Sequence, residues 1–156
     1  NQPIRPGSEE YLNSEKYEIR DWSLDAPHSI AGVMAAVNRA RRENPALHAN
    51  HDLFFHLTDN PYLIAYSKTS REGNNAILTV VNLDYFHRQS GWVTLDLKRL
   101  HLRPDESFQV LDALTGIRYL WQGSRNYVEL APDRMPAHIF RVLRKVRSEK
   151  DFDYYQ

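Results

Sequence analysis

The sequence contains no cysteine among its 156 residues, which excludes disulfide scaffolds, zinc sites built on thiolates and cysteine nucleophiles. Its 20 basic and 20 acidic residues balance, so the chain has no electrostatic attraction for nucleic acid or for an anionic membrane. No apolar run approaches the roughly 20 residues that a membrane span requires. We therefore expect no nucleic-acid partner and no membrane partner. The absence of cysteine also agrees with a cytoplasmic location.

The common catalytic motifs are missing as well. The sequence has no G-x-S-x-G nucleophile elbow, no P-loop and no G-x-G-x-x-G dinucleotide fingerprint. His48, His51 and His56 lie close together in sequence, but their spacing matches no zinc signature. From the residues alone we predict no catalytic residue, no cofactor and no metal site in this chain.

One amphipathic helix is well marked. Asp25 is a suitable N-cap, and Pro27 would fall in the first turn, where the missing N–H costs little. Asn44 and Pro45 end the pattern, because a residue before proline avoids the helical region. The spacing predicts a helix over 26–43. Its apolar face consists of Ile30, Val33, Met34 and Val37.

From about residue 52 the hydrophobic period changes from 3.6 to 2, which is typical of β-strands. Turn sequences rich in Gly, Pro, Asn and Asp separate the segments, so we predict a mainly β, antiparallel β-sandwich. The predicted strands cover residues 53–57, 62–68, 76–82, 91–97, 108–112, 118–121, 127–130 and 137–144.

Two groups of residues allow more than one interpretation. The carboxylates Glu9, Glu10 and Glu15 either form a solvated acidic loop or contact sugar hydroxyls. The aromatic residues of the strands either pack in the core and across strands or form a platform on which a sugar stacks. These residues are Trp92, Tyr119, Trp121 and Tyr127.

Residues 37–47, V-N-R-A-R-R-E-N-P-A-L, resemble the last barrel helix and its exit in glycoside hydrolase family 13, the α-amylase family. Three further stretches resemble the C-terminal part of one group in that family, the bacterial α-1,4-glucan:maltose-1-phosphate maltosyltransferases. They are residues 8–20, residues 112–130 with D-A-L-T-G at their start, and residues 136–142. The likeness covers about residues 5–145.

This resemblance implies a domain organisation. Residues 1–47 would be the C-terminal remnant of a catalytic (β/α)8 barrel, residues 48–145 the β-sandwich called domain C, and residues 146–156 a flexible tail. The fold class would be an α-amylase-type C-terminal sandwich preceded by a loop and one long helix from a truncated barrel. The catalytic carboxylates of the family would precede residue 1, so none is assigned here and this piece alone should be inactive.

The resemblance also implies an activity for the longer protein. That protein would transfer maltosyl units from maltose 1-phosphate to the non-reducing end of an α-1,4-glucan with retention of configuration, and it would act as a homodimer. Glu15, Lys16 and Tyr17 would lie at the face of the barrel where active sites form, and are candidates for contacts to the donor sugar. The competing interpretation is that these three residues only brace the barrel.

Other functions remain open at this point. The chain could be the C-terminal domain of another family 13 α-amylase or of a trehalose synthase. It could also be a stand-alone carbohydrate-binding module, which would bind glucan through exposed tryptophans, or an interaction domain unrelated to sugars.

Overall fold

The computed structural model describes residues 3–14, 19, 23–27 and 29–143. The chain divides into two compact units, Asn1–Ala31 and Gly32–Gln156. The predicted boundary at residues 47/48 is not tested by this division and stays a prediction. The proposed flexible tail, residues 146–156, lies outside the described residues.

In the first unit, the described residues form a short looped segment. Pro3 and Tyr11 make an isolated antiparallel bridge, and the N–H of Ile4 donates to the carbonyl of Glu10 at 2.9 Å. Gly7 lies at the turn with a φ of +77°, a conformation that favours glycine.

The amphipathic helix α1 spans Ala31–Glu43, so it starts five residues later than predicted. Neither Asp25 nor Pro27 belongs to it. The reason lies at Ser29, whose Oγ accepts a hydrogen bond from the N–H of Ala31 at 3.2 Å and supplies the side-chain acceptor that a helix start needs. The predicted N-cap was therefore wrong.

The end of α1 is where the sequence predicted it. Asn44 adopts an extended conformation, with φ −124° and ψ 101°, as expected for a residue before proline. A single 3₁₀ turn, Pro45–His48, follows and leads into the β-region.

All eight predicted strands are present, each within about three residues of its predicted ends. They are β1 (Leu53–Thr58), β2 (Leu63–Thr69), β3 (Ala76–Asn82), β4 (Gln89–Thr94), β5 (Ser107–Asp112), β6 (Arg118–Gln122), β7 (Arg125–Leu130) and β8 (Ala137–Leu143). Every pairing is antiparallel, and the order is β6-β5-β8-β3-β2-β1-β4-β7.

The β1 strand connects the two layers of the sandwich. Its first four residues pair with β2, whereas Leu57 and Thr58 pair with β4. The β1 strand therefore passes from one layer to the other, and side chains from both layers meet in one core. The core includes Leu78, Val80, Val93, Phe108, Leu130 and Phe140.

The predicted fold class is confirmed: the chain is mainly β, and its described residues form an antiparallel sandwich preceded by one α-helix. The β3 strand is covered on both faces, while β4 alternates between buried Val93 and exposed Trp92 and Thr94. No helix among the described residues is long and apolar enough to cross a membrane.

Only the last turn of α1 packs closely. Ala40 is buried, whereas Val33, Met34 and Val37 are 62%, 55% and 41% exposed. The sandwich therefore does not cover the apolar face of this helix.

Candidate functional site

The three predicted sugar-contacting residues, Glu15, Lys16 and Tyr17, lie outside the described residues. Of the acidic cluster, Glu9 and Glu10 are described, and both are exposed. The assignment of a sugar-contacting role to this segment stays a prediction.

The histidines near the start of the sandwich do not converge. His48 contacts the carbonyl of Arg41 through Nε2 at 2.8 Å, while the ring of His56 is buried and accepts from the N–H of Asp96 through Nδ1 at 3.2 Å. Within the part of the chain that the structure describes, no three His, Cys, Asp or Glu residues are grouped to hold a metal ion.

The best-built polar site is centred on Asp112, the last residue of β5, which has no exposed surface. Its Oδ1 accepts from the N–H groups of Leu114 at 3.1 Å and Ile139 at 3.3 Å. Its Oδ2 accepts from the hydroxyl of Thr115 at 2.7 Å and contacts Nδ1 of His138 at 3.1 Å. A buried carboxylate with four partners of this kind is held in one orientation.

The local sequence D-A-L-T-G explains this geometry. An Asp at the start of a turn accepts from the N–H two residues later, and Gly116 completes the turn with a φ of +77°. Thr115 then lies close enough for its hydroxyl to reach the carboxylate, and Ala113 pairs with the carbonyl of Ile139 in β8 at 2.8 Å.

Burial raises the pKa of the Asp112 carboxyl, but the hydrogen bonds from His138, Thr115 and the Leu114 N–H, together with the charge of His138, lower it further than burial raises it. The net direction is down, so Asp112 is an anion at neutral pH. An ionised carboxylate only accepts, and therefore Nδ1 of His138 carries the proton that it donates to Oδ2.

His138 forms part of the wall of a cleft between β6 and β7, the two edge strands of the sheet. The cleft has a volume of about 250 Å³. It is mostly aromatic, with polar groups at two places, and is lined by Tyr119, Trp121, Tyr127, Val128, Glu129, His138 and Phe140.

The aromatic rings that line the cleft pack closely against one another. His138 stacks on Phe140 with ring centroids 4.6 Å apart, and Tyr119 and Trp121 meet Phe140 edge-on at 5.7 Å and 5.2 Å. The stacked and edge-to-face contacts together fix the rings and the imidazole in place.

At the rim of the cleft, Tyr127 also contacts Trp92 of β4, its direct cross-strand partner, with ring centroids 5.4 Å apart. The guanidinium of Arg125 lies 4.9 Å from the Trp92 ring. Tyr127 and Trp92 are 51% and 40% exposed. Trp121 is therefore a core residue, and Trp92 and Tyr127 are cross-strand partners at the surface, as the first interpretation of the strand aromatics expects. The sugar-stacking platform stays a prediction.

A second, wider cleft of about 460 Å³ lies between the end of α1 and the β5–β6 turn. Its lining contains four charged residues, Arg39, Glu43, Asp112 and Arg141. None of the described acids and bases in it forms an ion pair with another across the cleft.

Sequence reasoning did not pair Asp112 with His138. The D-A-L-T-G stretch was visible, but His138 is 26 residues away. Only the pairing of β5 with β8, which sequence periodicity does not specify, brings the two side chains together.

Comparison with known proteins agrees with the fold and the sequence pattern. The family model described as "GLGE, C-terminal" matches residues 55–142. Among solved structures, the noncanonic maltogenic α-amylase AmyB from Thermotoga neapolitana matches with a TM-score of 0.54 at 16% identity. That match covers 78% of this chain and 28% of the amylase chain, and at this identity it shows the fold alone.

Three curated relatives cover nearly the whole chain, and each is named as an α-1,4-glucan:maltose-1-phosphate maltosyltransferase. Maltosyltransferase 1 of Streptomyces coelicolor is 51% identical over 148 residues, which is 92% of this chain and 22% of that protein. The Chlorobaculum tepidum protein is 46% identical over 143 residues, 88% of this chain and 21% of its own. The Myxococcus xanthus protein is 40% identical over 151 residues, 97% of this chain and 23% of its own. The chain thus spans about a fifth of the length of the curated relatives it matches.

Proposed function

The chain belongs to the GLGE, C-terminal family, and from this premise we propose that it is the C-terminal β-domain of a retaining α-1,4-glucan:maltose-1-phosphate maltosyltransferase. The observation that carries the proposal is identity of 40–51% over about nine-tenths of the chain to proteins of that name. The longer protein then acts on maltose 1-phosphate and α-1,4-glucan. Its catalytic residues lie in the part that corresponds to the four-fifths of the relatives not matched by this chain.

In this proposal the sandwich holds the end of α1 in place. A buried pair of asparagines joins the end of α1 to the β2–β3 hairpin: Nδ2 of Asn75 donates to Oδ1 of Asn44 at 3.0 Å. Oδ1 of Asn75 accepts from the N–H of Ala46 at 3.1 Å. A helix held in this way can present its exposed apolar face to a further structure at a fixed angle, which fits a helix shared with a barrel.

Within the same proposal, Glu15, Lys16 and Tyr17 contact the donor sugar. A carboxylate accepts hydrogen bonds from sugar hydroxyls, an ammonium donates them, and a tyrosine ring offers a stacking face. Their chemistry supports this role.

The test is made on the protein encoded by the complete reading frame that contains this chain. We expect it to release inorganic phosphate from maltose 1-phosphate when maltohexaose is supplied, and Lys16→Ala to lower kcat/KM for the donor by about tenfold or more, the loss of one charge-assisted hydrogen bond. Lys98→Ala, which removes an exposed lysine of the sandwich, is the matched control and should leave kcat/KM unchanged.

Two results would contradict the proposal. A complete protein that releases no phosphate from maltose 1-phosphate would remove the assigned activity. Normal kinetics in Lys16→Ala would remove that residue from the donor site and leave the activity itself in place.

A further inference from the structure

The cleft between β6 and β7 contains none of the residues assigned to the donor site, yet it combines an oriented polar group with an exposed aromatic rim. We propose that it binds a glucosyl unit of an α-1,4-glucan, whose chain continues over Tyr127 and Trp92. The choice of an α-glucan as the ligand rests on the proposed function. The existence of the site rests on the geometry of the cleft and its aromatic rim.

The polar group of the proposed site is the imidazole of His138, a residue that is only 8% exposed. Because Nδ1 is engaged with the Asp112 carboxylate, Nε2 is the ring nitrogen left to meet a ligand. No described residue makes a hydrogen bond to Nε2, and the ring lines the cleft. The cleft therefore presents an oriented imidazole nitrogen to a ligand. A sugar hydroxyl both donates and accepts, so it can form a hydrogen bond with this nitrogen whether or not the nitrogen carries a proton.

The aromatic walls of the cleft supply the apolar contacts of the proposed site. The C–H groups on the face of a pyranose ring carry partial positive charge, and the face of an aromatic ring is negative, so the two attract when water is removed between them. Tyr119 and Tyr127 are the exposed rings of the lining, at 37% and 51%. Glu129 lies at the rim, where it is paired with Arg88 at 3.0 Å, and its carboxylate can accept from a second hydroxyl.

The size of the cleft limits what it holds. Drug-sized ligands occupy clefts of roughly 300–1,000 Å³, so about 250 Å³ suits a single sugar ring. A longer chain must leave the cleft across its rim. Tyr127 belongs both to the cleft and to the pair with Trp92, so the aromatic surface is continuous from one to the other. This continuity favours an oligosaccharide over a free monosaccharide.

The binding test uses the 156-residue chain and maltoheptaose as the probe, followed by calorimetry and by NMR of the histidine side chains. We expect saturable binding that Tyr127→Ala weakens by about tenfold or more, and that Tyr127→Phe largely preserves because the ring remains. The ring signal of His138 should shift on titration, while that of exposed His101 should not.

The matched control is Tyr85→Ala, which removes a more accessible tyrosine, 75% exposed against 51% for Tyr127, from the β3–β4 loop. It should bind maltoheptaose like the unaltered chain. Absence of saturable binding, equal weakening by Tyr85→Ala and Tyr127→Ala, or an unchanged His138 signal would each overturn the proposal.

A second measurement separates this inference from the proposed function. In the complete protein, Tyr127→Ala should raise the half-saturating concentration of a long glucan acceptor several-fold and leave kcat with maltohexaose unchanged. If phosphate release is normal but maltoheptaose does not bind the chain, the site is disproved and the transferase survives. If maltoheptaose binds the chain but the complete protein transfers nothing, the reverse holds.

Discussion

At the scale of single residues, the ionisation of His56 is coupled to the stability of the fold. Burial lowers the pKa of its imidazole to about 4 from 6.5, with the nearby Arg99 acting in the same direction and Asp96 opposing them. Nδ1 accepts from the N–H of Asp96, and the buried Nε2 has no hydrogen-bond partner among the described residues. A charged ring at this position would face a backbone donor and lose its hydration.

The sign of the pH dependence follows from these values. Between pH 6.5 and about 4 the unfolded chain protonates His56 and the folded chain does not, so the free energy of unfolding falls as the pH is lowered through this window. After allowance for solvent screening the loss is on the order of 2 kcal/mol. Urea unfolding at pH 7 and at pH 4.5 measures it. His56→Gln, which does not titrate, should lose markedly less, and an identical pH dependence in both proteins would contradict the assignment.

The candidate site shows what can be predicted from sequence at the residue scale. Asp112, Thr115 and Gly116 form a turn that local sequence specifies, so their arrangement was open to prediction. The role of His138 was not, because it depends on which strand lies beside β5. The exposure of Trp92 and Tyr127 likewise depends on their position near the open edge of the sheet.

At the scale of elements, the connection between α1 and the β2–β3 hairpin depends on Asn75. Asn75→Ala would leave Oδ1 of Asn44 and the N–H of Ala46 buried without partners, and we expect the free energy of unfolding to fall by about 2–3 kcal/mol. Asn74→Ala is the control, because its side chain is exposed and makes one hydrogen bond to Ser70. Urea denaturation of both variants makes the comparison, and equal small losses would show that the asparagine pair does not stabilise the fold.

The strands were predictable at this scale because alternation and turn residues are local signals, and most strand ends fall near a Gly, Pro, Asn or Asp. The start of α1 was not, because Asp25 and Ser29 both satisfy the sequence rule for a cap, and the structure uses Ser29. Strand order was outside the reach of periodicity as well. The neighbours β8 and β3 are far apart along the chain, and their pairing is decided by how the whole core packs.

At the scale of the whole molecule, the apolar face of α1 requires a partner. Val33, Met34 and Val37 are exposed, and burying each fully would contribute about 1.5–3 kcal/mol. We expect the isolated chain to self-associate through this face, with a sedimentation coefficient that rises with concentration. Val33→Lys should abolish the rise, and Leu120→Lys, which changes an equally exposed leucine of β6, should not.

A chain that sediments as a monomer at every concentration would contradict this expectation. So would a Leu120→Lys variant that dissociates as Val33→Lys does. In the complete protein the same helix face is the part of this chain best suited to contact the remaining four-fifths, so the homodimer proposed for that protein would then use other surfaces.

The end strands of the sheet, β6 and β7, do not pair with each other, so the sheet does not close and some of their main-chain groups are left without a strand partner. A strand with a single neighbour directs every second pair of peptide groups outward, so β6 and β7 offer rows of amide donors and carbonyl acceptors along facing borders. The two strands are short, with five residues in β6 and six in β7. Short edge strands give an additional strand from another molecule few groups to pair with, which limits fibril-like stacking at this border.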